Sequence, residues 1–97
     1  MPHPPSAVIG LNDRIAIGAM KAILEGGLKV PEQVSIVGFD NLDVSAWTTP
    51  TVTTIDQQVE LLMSTAASVL LQQIRDPEAE KLQTQLIRPV LKNRMST

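Results

Sequence analysis

The 97-residue sequence contains no cysteine and no tyrosine, and only one tryptophan and one phenylalanine. Without cysteine there is no disulfide framework and no thiolate metal site, and the redox compartment is left open. With aromatics at 2 % and hydrophobic residues at 43 %, any core has to be aliphatic, built from Ile, Leu, Val, Ala and Met. Positive charge is also scarce: eight Lys and Arg against ten Asp and Glu leave a net charge of −2. Nucleic-acid-binding modules carry a basic surplus, so any DNA contact has to come from elsewhere. No apolar run approaches the roughly 18 residues of a membrane span. The opening "MPHPPS" has neither the basic nor the apolar region of a secretion signal. Also missing are a Gly-rich phosphate loop, a Ser-His-Asp set and a spaced metal-ligand cluster. These absences point to a soluble, cytoplasmic, non-enzymatic chain without cofactor or metal, either one small domain or a piece of a larger one.

What is present reads as an α/β pattern. After the Pro-rich lead, in which His3 is a solvated side chain, "AVIGL" reads as a short buried strand and "DRIAIGAMKAILEGG" as a helix ended by Gly26-Gly27. "VSIVGF", Val34 to Phe39, is a second β-branched run behind the Pro31-Glu32 breaker. Strand, helix, strand implies a right-handed crossover and a parallel pair. "TVTTI" is a third short strand. From Gln57 to Ile74 a second helix places Val59, Leu62, Met63, Ala66, Ala67, Leu70 and Ile74 on one face. Pro77 ends it, and the tail "LQTQLIRPVLKNRMST" supplies one or two edge segments, with Arg88, Lys92 and Arg94 as a solvated face.

One polar pair, Asn12-Asp13, interrupts the apolar run from Ala7 to Met20. In an open parallel sheet, ligands bind beyond the carboxyl ends of the strands. Asn12 sits at the end of the first strand and Asp40-Asn41 at the end of the second, so parallel strands bring both to one edge. Asp13 is the expected N-cap of the first helix, worth about 1 kcal/mol. Asn12 offers a donor and an acceptor, and Asp40 can accept from two adjacent hydroxyls, a combination that suits a polyol. A second reading stays open, in which both residues only satisfy turn backbone groups.

The segments "LNDRIAIGAMKAILEGGLKVPEQVSIVGFDN" and "TPTVTTIDQ" closely resemble the C-terminal part of the effector-binding domain of lac-repressor-like (LacI/GalR) transcription regulators, over about residues 7–91. The resemblance implies a two-lobed, periplasmic-binding-protein-like (type I) fold, a parallel sheet with flanking helices of which this chain supplies mainly the later half of the C-terminal lobe. It divides the chain into a flexible lead (1–6), a strand-helix-strand part of the C-terminal lobe (7–56), a helix that packs on the other lobe (57–76), and a linker with terminal strand segments (77–97). It makes Asn12 and Asp40 effector-hydroxyl ligands and places Gln57 at the hinge crossing, where it can reach the cleft as a third effector-binding residue. Some relatives carry an aromatic residue at the Val59 position, where this chain offers only a small apolar wall.

The first helix has more apolar surface than one sheet contact needs. Ile17, Met20 and Leu24 fit either burial between two layers or a two-fold contact between copies. Resemblance favours the dimer, with Trp47 at the interface or partly buried rather than stacked on ligand. The whole implies a regulator fragment that senses a small molecule, expected to be a sugar, forms a homodimer, reaches operator DNA only through a domain outside this chain, and has no membrane contact. Two alternatives are a fragment of a transport-type periplasmic sugar-binding protein, disfavoured by the missing secretion signal, and a dimerisation module without ligand binding.

Overall fold

A computed structural model describes residues 3–78 and 85–97, and their backbone falls into two compact units, 1–56 with 90–97 and 57–89. In the first unit, strand β1 (Ala7–Ile9) is followed by helix α1 (Asp13–Glu25), strand β2 (Ser35–Val37), a 3-10 turn (Asp43–Ala46) and strand β3 (Thr54–Asp56). The chain then runs through helix α2 (Val59–Arg75) of the second unit and re-enters the first as strand β4 (Val90–Lys92).

β1 and β2 pair in parallel, Ala7 opposite Ser35 and Ile9 opposite Val37. A parallel bridge from Val37 to Thr53 adds the third strand, and β4 closes the far side antiparallel to β3. Each strand is shorter than its apolar run. The third is also displaced, starting at Thr54 rather than Thr51, because the residues before it bond elsewhere. Val52 N–H donates to the Ser45 carbonyl at 2.8 Å, and Thr53 N–H donates to Ser96 Oγ at 2.8 Å. Ser96 is fully buried between β2 and the segment leading into β3. Its Oγ donates to the Ile36 carbonyl at 2.6 Å and its own carbonyl accepts from Ile36 N–H at 2.9 Å. The chain's last residues thus substitute for ladder bonds that the two strands do not make with each other.

α1 lies on one face of this sheet because Ala16, Met20 and Ile23 recur on one helical stripe. Ala16 and Met20 join Val30, Val34, Ile36 and Val52 in the core, with Val8, Ile17, Ile23 and Leu28 packed around them. Burying a side chain such as Met20 contributes about 1.5–3 kcal/mol. The helix ends at Gly26, and Gly27 takes φ +87°, a conformation that favours glycine. On the exposed side, Lys21 and Glu25 form an i,i+4 pair at 3.9 Å.

α2 begins after Gln58, which has a left-handed φ of 57° and whose Nε2 donates to the Arg88 carbonyl at 2.6 Å. None of the α2 residues is buried, and Val59, Leu61, Leu62, Met63, Leu70, Leu71 and Ile74 are exposed. The apolar face read from the sequence is present and uncovered. No helix among the described residues is long and apolar enough to cross a membrane.

Candidate functional site

The carboxyl ends of β1 and β2 carry two glycines, and both are there for close approach. A Cβ on Gly10 would sit 2.6 Å from the Ala16 nitrogen, and one on Gly38 would collide with the Asp13 carboxylate. Their small size lets the start of α1 drop against the sheet edge. Gly10 N–H then donates to the Val37 carbonyl at 2.8 Å, and Asp13 N–H to the Phe39 carbonyl at 3.0 Å. The loops bearing Asn12 and Asp40 are therefore stitched to one rim, as two parallel strands in register require.

The capping role within the polar pair falls on Asn12 and not on the expected Asp13. Asn12, not Asp13, is the N-cap: its backbone is extended (φ −151°, ψ 174°) and its Oδ1 accepts from Ile15 N–H at 2.9 Å. Asp13 is the first helical residue, fully buried. Its Oδ2 accepts from Leu42 N–H at 2.6 Å and its Oδ1 from the Thr54 hydroxyl at 2.5 Å. One carboxylate thereby joins α1, the loop after β2 and β3. Capping needs the residue outside the helix with extended backbone, and that residue is Asn12. Asp13, one position on, is turned inward.

The turn after β2 is unusual. Asp40 has φ 107° and Asn41 φ 51°, both in the left-handed region that L-residues rarely adopt, although Asn and Asp tolerate it best. Strained residues of this kind persist where surrounding structure over-determines them, and they cluster at functional sites. The surroundings here are explicit. Asp40 N–H donates to the Ile55 carbonyl at 2.9 Å, Asn41 N–H to Thr54 Oγ1 at 3.2 Å, and Arg94 Nη2 to Asn41 Oδ1 at 2.8 Å.

Arg94 corrects a second expectation. It is half-buried, and its Nη1 also donates to the Val52 carbonyl at 3.0 Å and Ser45 Oγ at 3.1 Å, so it is an internal strut and not part of a solvated face. A lone arginine in a polar tail gives no local sign of this. The pattern "NRMST" is legible as a strut only once Ser96 and Arg94 are seen to reach strands about forty to sixty residues earlier.

The rim gathers Asn12 and Asp40, both half-buried, while Gln57 is half-buried at the start of the second unit. Asn12 Oδ1 is engaged in the cap, so the donor its side chain brings to the rim is its amide nitrogen. Asp40 supplies carboxylate acceptors. Of the four residues expected at an interface, Met20 is excluded: at 3 % exposure it is core, because its position on the helix faces the sheet. Ile17 is half-buried against the same core, whereas Leu24 and Trp47 are exposed. Leu11 and Ile15, unremarked in the sequence, are exposed apolar residues on either side of the Asn12 cap. Among the described residues no group of His, Asp and Glu is arranged to hold a metal ion.

Comparison with known proteins gives a consistent result. The family described as periplasmic binding protein-like domain matches residues 1–97. A probable HTH-type transcriptional repressor, ExuR of Bacillus subtilis, is 44 % identical over 84 residues, covering 84 % of this chain and 25 % of that protein. A LacI family transcriptional regulator from Enterococcus faecium, solved with bound ribose, superposes with TM-score 0.82 at 37 % identity over 95 % of this chain and 34 % of that one. The lac repressor dimer bound to operator and an anti-inducer gives TM-score 0.85 at 40 % identity over 96 % of this chain and 32 % of that one. The chain thus spans about a quarter of the length of the curated relative and a third of the solved chains.

Proposed function

From the premise that the chain belongs to the periplasmic binding protein-like family, in the lac-repressor-like branch of transcription regulators, we propose that it forms the later part of an effector-binding domain whose rim takes a sugar. Asn12 and Asp40 are its first-strand and second-strand contacts. The observation that carries this reading is the left-handed Asp40-Asn41 turn, held at the same sheet edge as Asn12 by Asp13, Thr54 and Arg94. A carboxylate in a braced turn at the same sheet edge as a side-chain amide suits adjacent hydroxyls, and it loses less entropy on binding than a mobile loop would. The relative with bound ribose supports a sugar as the chemical class.

In this reading α2 presents the apolar face that docks on the other lobe, Leu24 and Trp47 belong to a two-fold contact between copies, and operator DNA is bound through a separate domain of a cytoplasmic protein. Effector alters operator affinity only by binding two states of the dimer unequally. The decisive test is a chimera in which residues 7–97 replace the matching segment of the ribose-bound Enterococcus faecium regulator. Titration with ribose and a panel of pentoses and hexoses should show binding that falls at least tenfold with Asp40→Ala and less with Asn12→Ala. A folded chimera that binds sugar equally well with both changes would remove the site.

A further inference from the structure

We propose that Arg94 is the positioning residue for the effector turn: its guanidinium holds Asp40 and Asn41 in their left-handed conformation and so sets where the Asp40 carboxylate stands. The proposal rests on the reading that Asp40 contacts effector. Arg94 lies two residues beyond β4, far from the turn in sequence, yet it bonds three successive parts of the segment that carries it. Nη2 reaches Asn41 Oδ1 at 2.8 Å, and Nη1 reaches Ser45 Oγ at 3.1 Å and the Val52 carbonyl at 3.0 Å. Its backbone N–H is fixed in turn by Thr53 Oγ1 at 2.8 Å. Ser45 is itself buried and its hydroxyl donates to the Leu42 carbonyl at 2.7 Å, so the guanidinium braces the turn on both sides of Leu42.

Two features make this a positioning device and not general packing. The residue that Arg94 grips, Asn41, has φ 51°, and its neighbour Asp40 has φ 107°, conformations that need external support in an L-residue. The planar fork is also what the geometry uses, since two different nitrogens serve acceptors on two separate segments. A lysine presents its donors from one atom and cannot span them. Because Arg94 follows β4, the stretch on which the chain returns from the second unit, the turn answers to that returning segment as well as to β2.

The experiment is amide exchange and backbone chemical shifts on the labelled 97-residue chain, parent against Arg94→Lys, with Arg94→Met as the stronger change. Asn41 and Leu42 amides, which donate to Thr54 Oγ1 and Asp13 Oδ2, should exchange at least tenfold faster in Arg94→Lys. The Gly10 and Ala16 amides should stay within twofold. The Cα and Cβ shifts of Asp40 and Asn41 should leave the left-handed range. Adding Asn41→Gly, which accepts positive φ without support, should return Leu42 to within threefold of the parent rate. Acceleration spread equally over all four amides, no acceleration, or no rescue by Asn41→Gly overturns the proposal. If Arg94→Met does not fold, the Lys variant carries the test. None of these readouts contains ligand, so they are independent of the effector reading. In the ribose chimera Arg94→Lys should weaken binding about tenfold. If Asp40→Ala weakens binding and Arg94→Lys does not, the positioning role fails, whereas if Asp40→Ala is silent it is the effector site that fails.

Discussion

Two helices of similar amphipathic pattern meet opposite fates in this molecule. α1 buries Asp13, Ala16 and Met20 and is tied through Asp13 by hydrogen bonds to the loop after β2 and to β3, while α2, four residues longer by the bounds Asp13–Glu25 and Val59–Arg75, buries nothing. Their own sequences do not explain the contrast, since both carry an apolar stripe at helical spacing. The difference lies in what each stripe finds. α1 is flanked in sequence by the two strands it covers, so a right-handed crossover delivers it to its sheet. α2 stands between β3 and β4, an antiparallel pair that needs no crossover helix to cover it. A helix pattern therefore specifies a face to be buried, and the order of strands specifies whether the chain itself supplies the cover.

The sharpest way to break that contrast is to disturb the tie at the head of α1. Gly38→Val puts side-chain atoms where the Asp13 carboxylate now sits. Overpacking combined with loss of the two charge-assisted bonds to Leu42 and Thr54 should destabilise by about 3–6 kcal/mol, a large part of the stability of a domain this size. Thermal or urea unfolding of the first unit, followed by the shifts of its core methyls, measures this. Asp13→Ala should fall in the same range without the clash. Next in size is Met20→Ala, expected at about 2–4 kcal/mol because the cavity opens between α1 and β2. Asn12→Ala removes the cap bond to Ile15 and should cost about 1 kcal/mol. Were Asn12→Ala to cost as much as Asp13→Ala, the division of labour within the polar pair would be wrong.

How much of this could be read from the letters depends on range. Element order, the parallel β1–β2 pair and the arrival of Asn12 and Asp40 at one edge were legible, because period, Gly and Pro punctuation and crossover handedness are local or near-local properties. The assignment of roles within Asn12-Asp13 was not, since both residue types cap helices well and a one-position shift decides which one turns inward. The side on which Met20 lies is undecided in the sequence for a related reason: apolar residues occupy most of the circumference of α1, and period alone does not choose between two apolar sides. Arg94 and Ser96 were illegible as structural groups because their partners, Asn41, Val52, Thr53 and Ile36, are more than forty residues away, and nothing in a polar tail encodes such a distance. The rim of the candidate site is thus half local, through Asn12 and Gly38, and half assembled by the last residues of the chain.

The smallest expected effect on stability is the most telling for the comparison. Leu62 and Leu70 are 44 % and 58 % exposed on α2, so Leu62→Ala and Leu70→Ala should each change unfolding by no more than about 0.5 kcal/mol, as surface substitutions do. The same leucine deletions in a covered helix would cost several times more. An uncovered apolar face has a different consequence, because contiguous exposed patches drive association. Leu62→Glu with Leu70→Lys should leave the melting transition in place but lower the apparent mass in light scattering at high protein concentration. If instead the Ala variants cost as much as Met20→Ala at low concentration, then α2 is covered within a single chain in solution, and the contrast with α1 disappears. If they cost as much only at high concentration, the cover is a second copy, and the dependence of the melting transition on protein concentration reports its affinity.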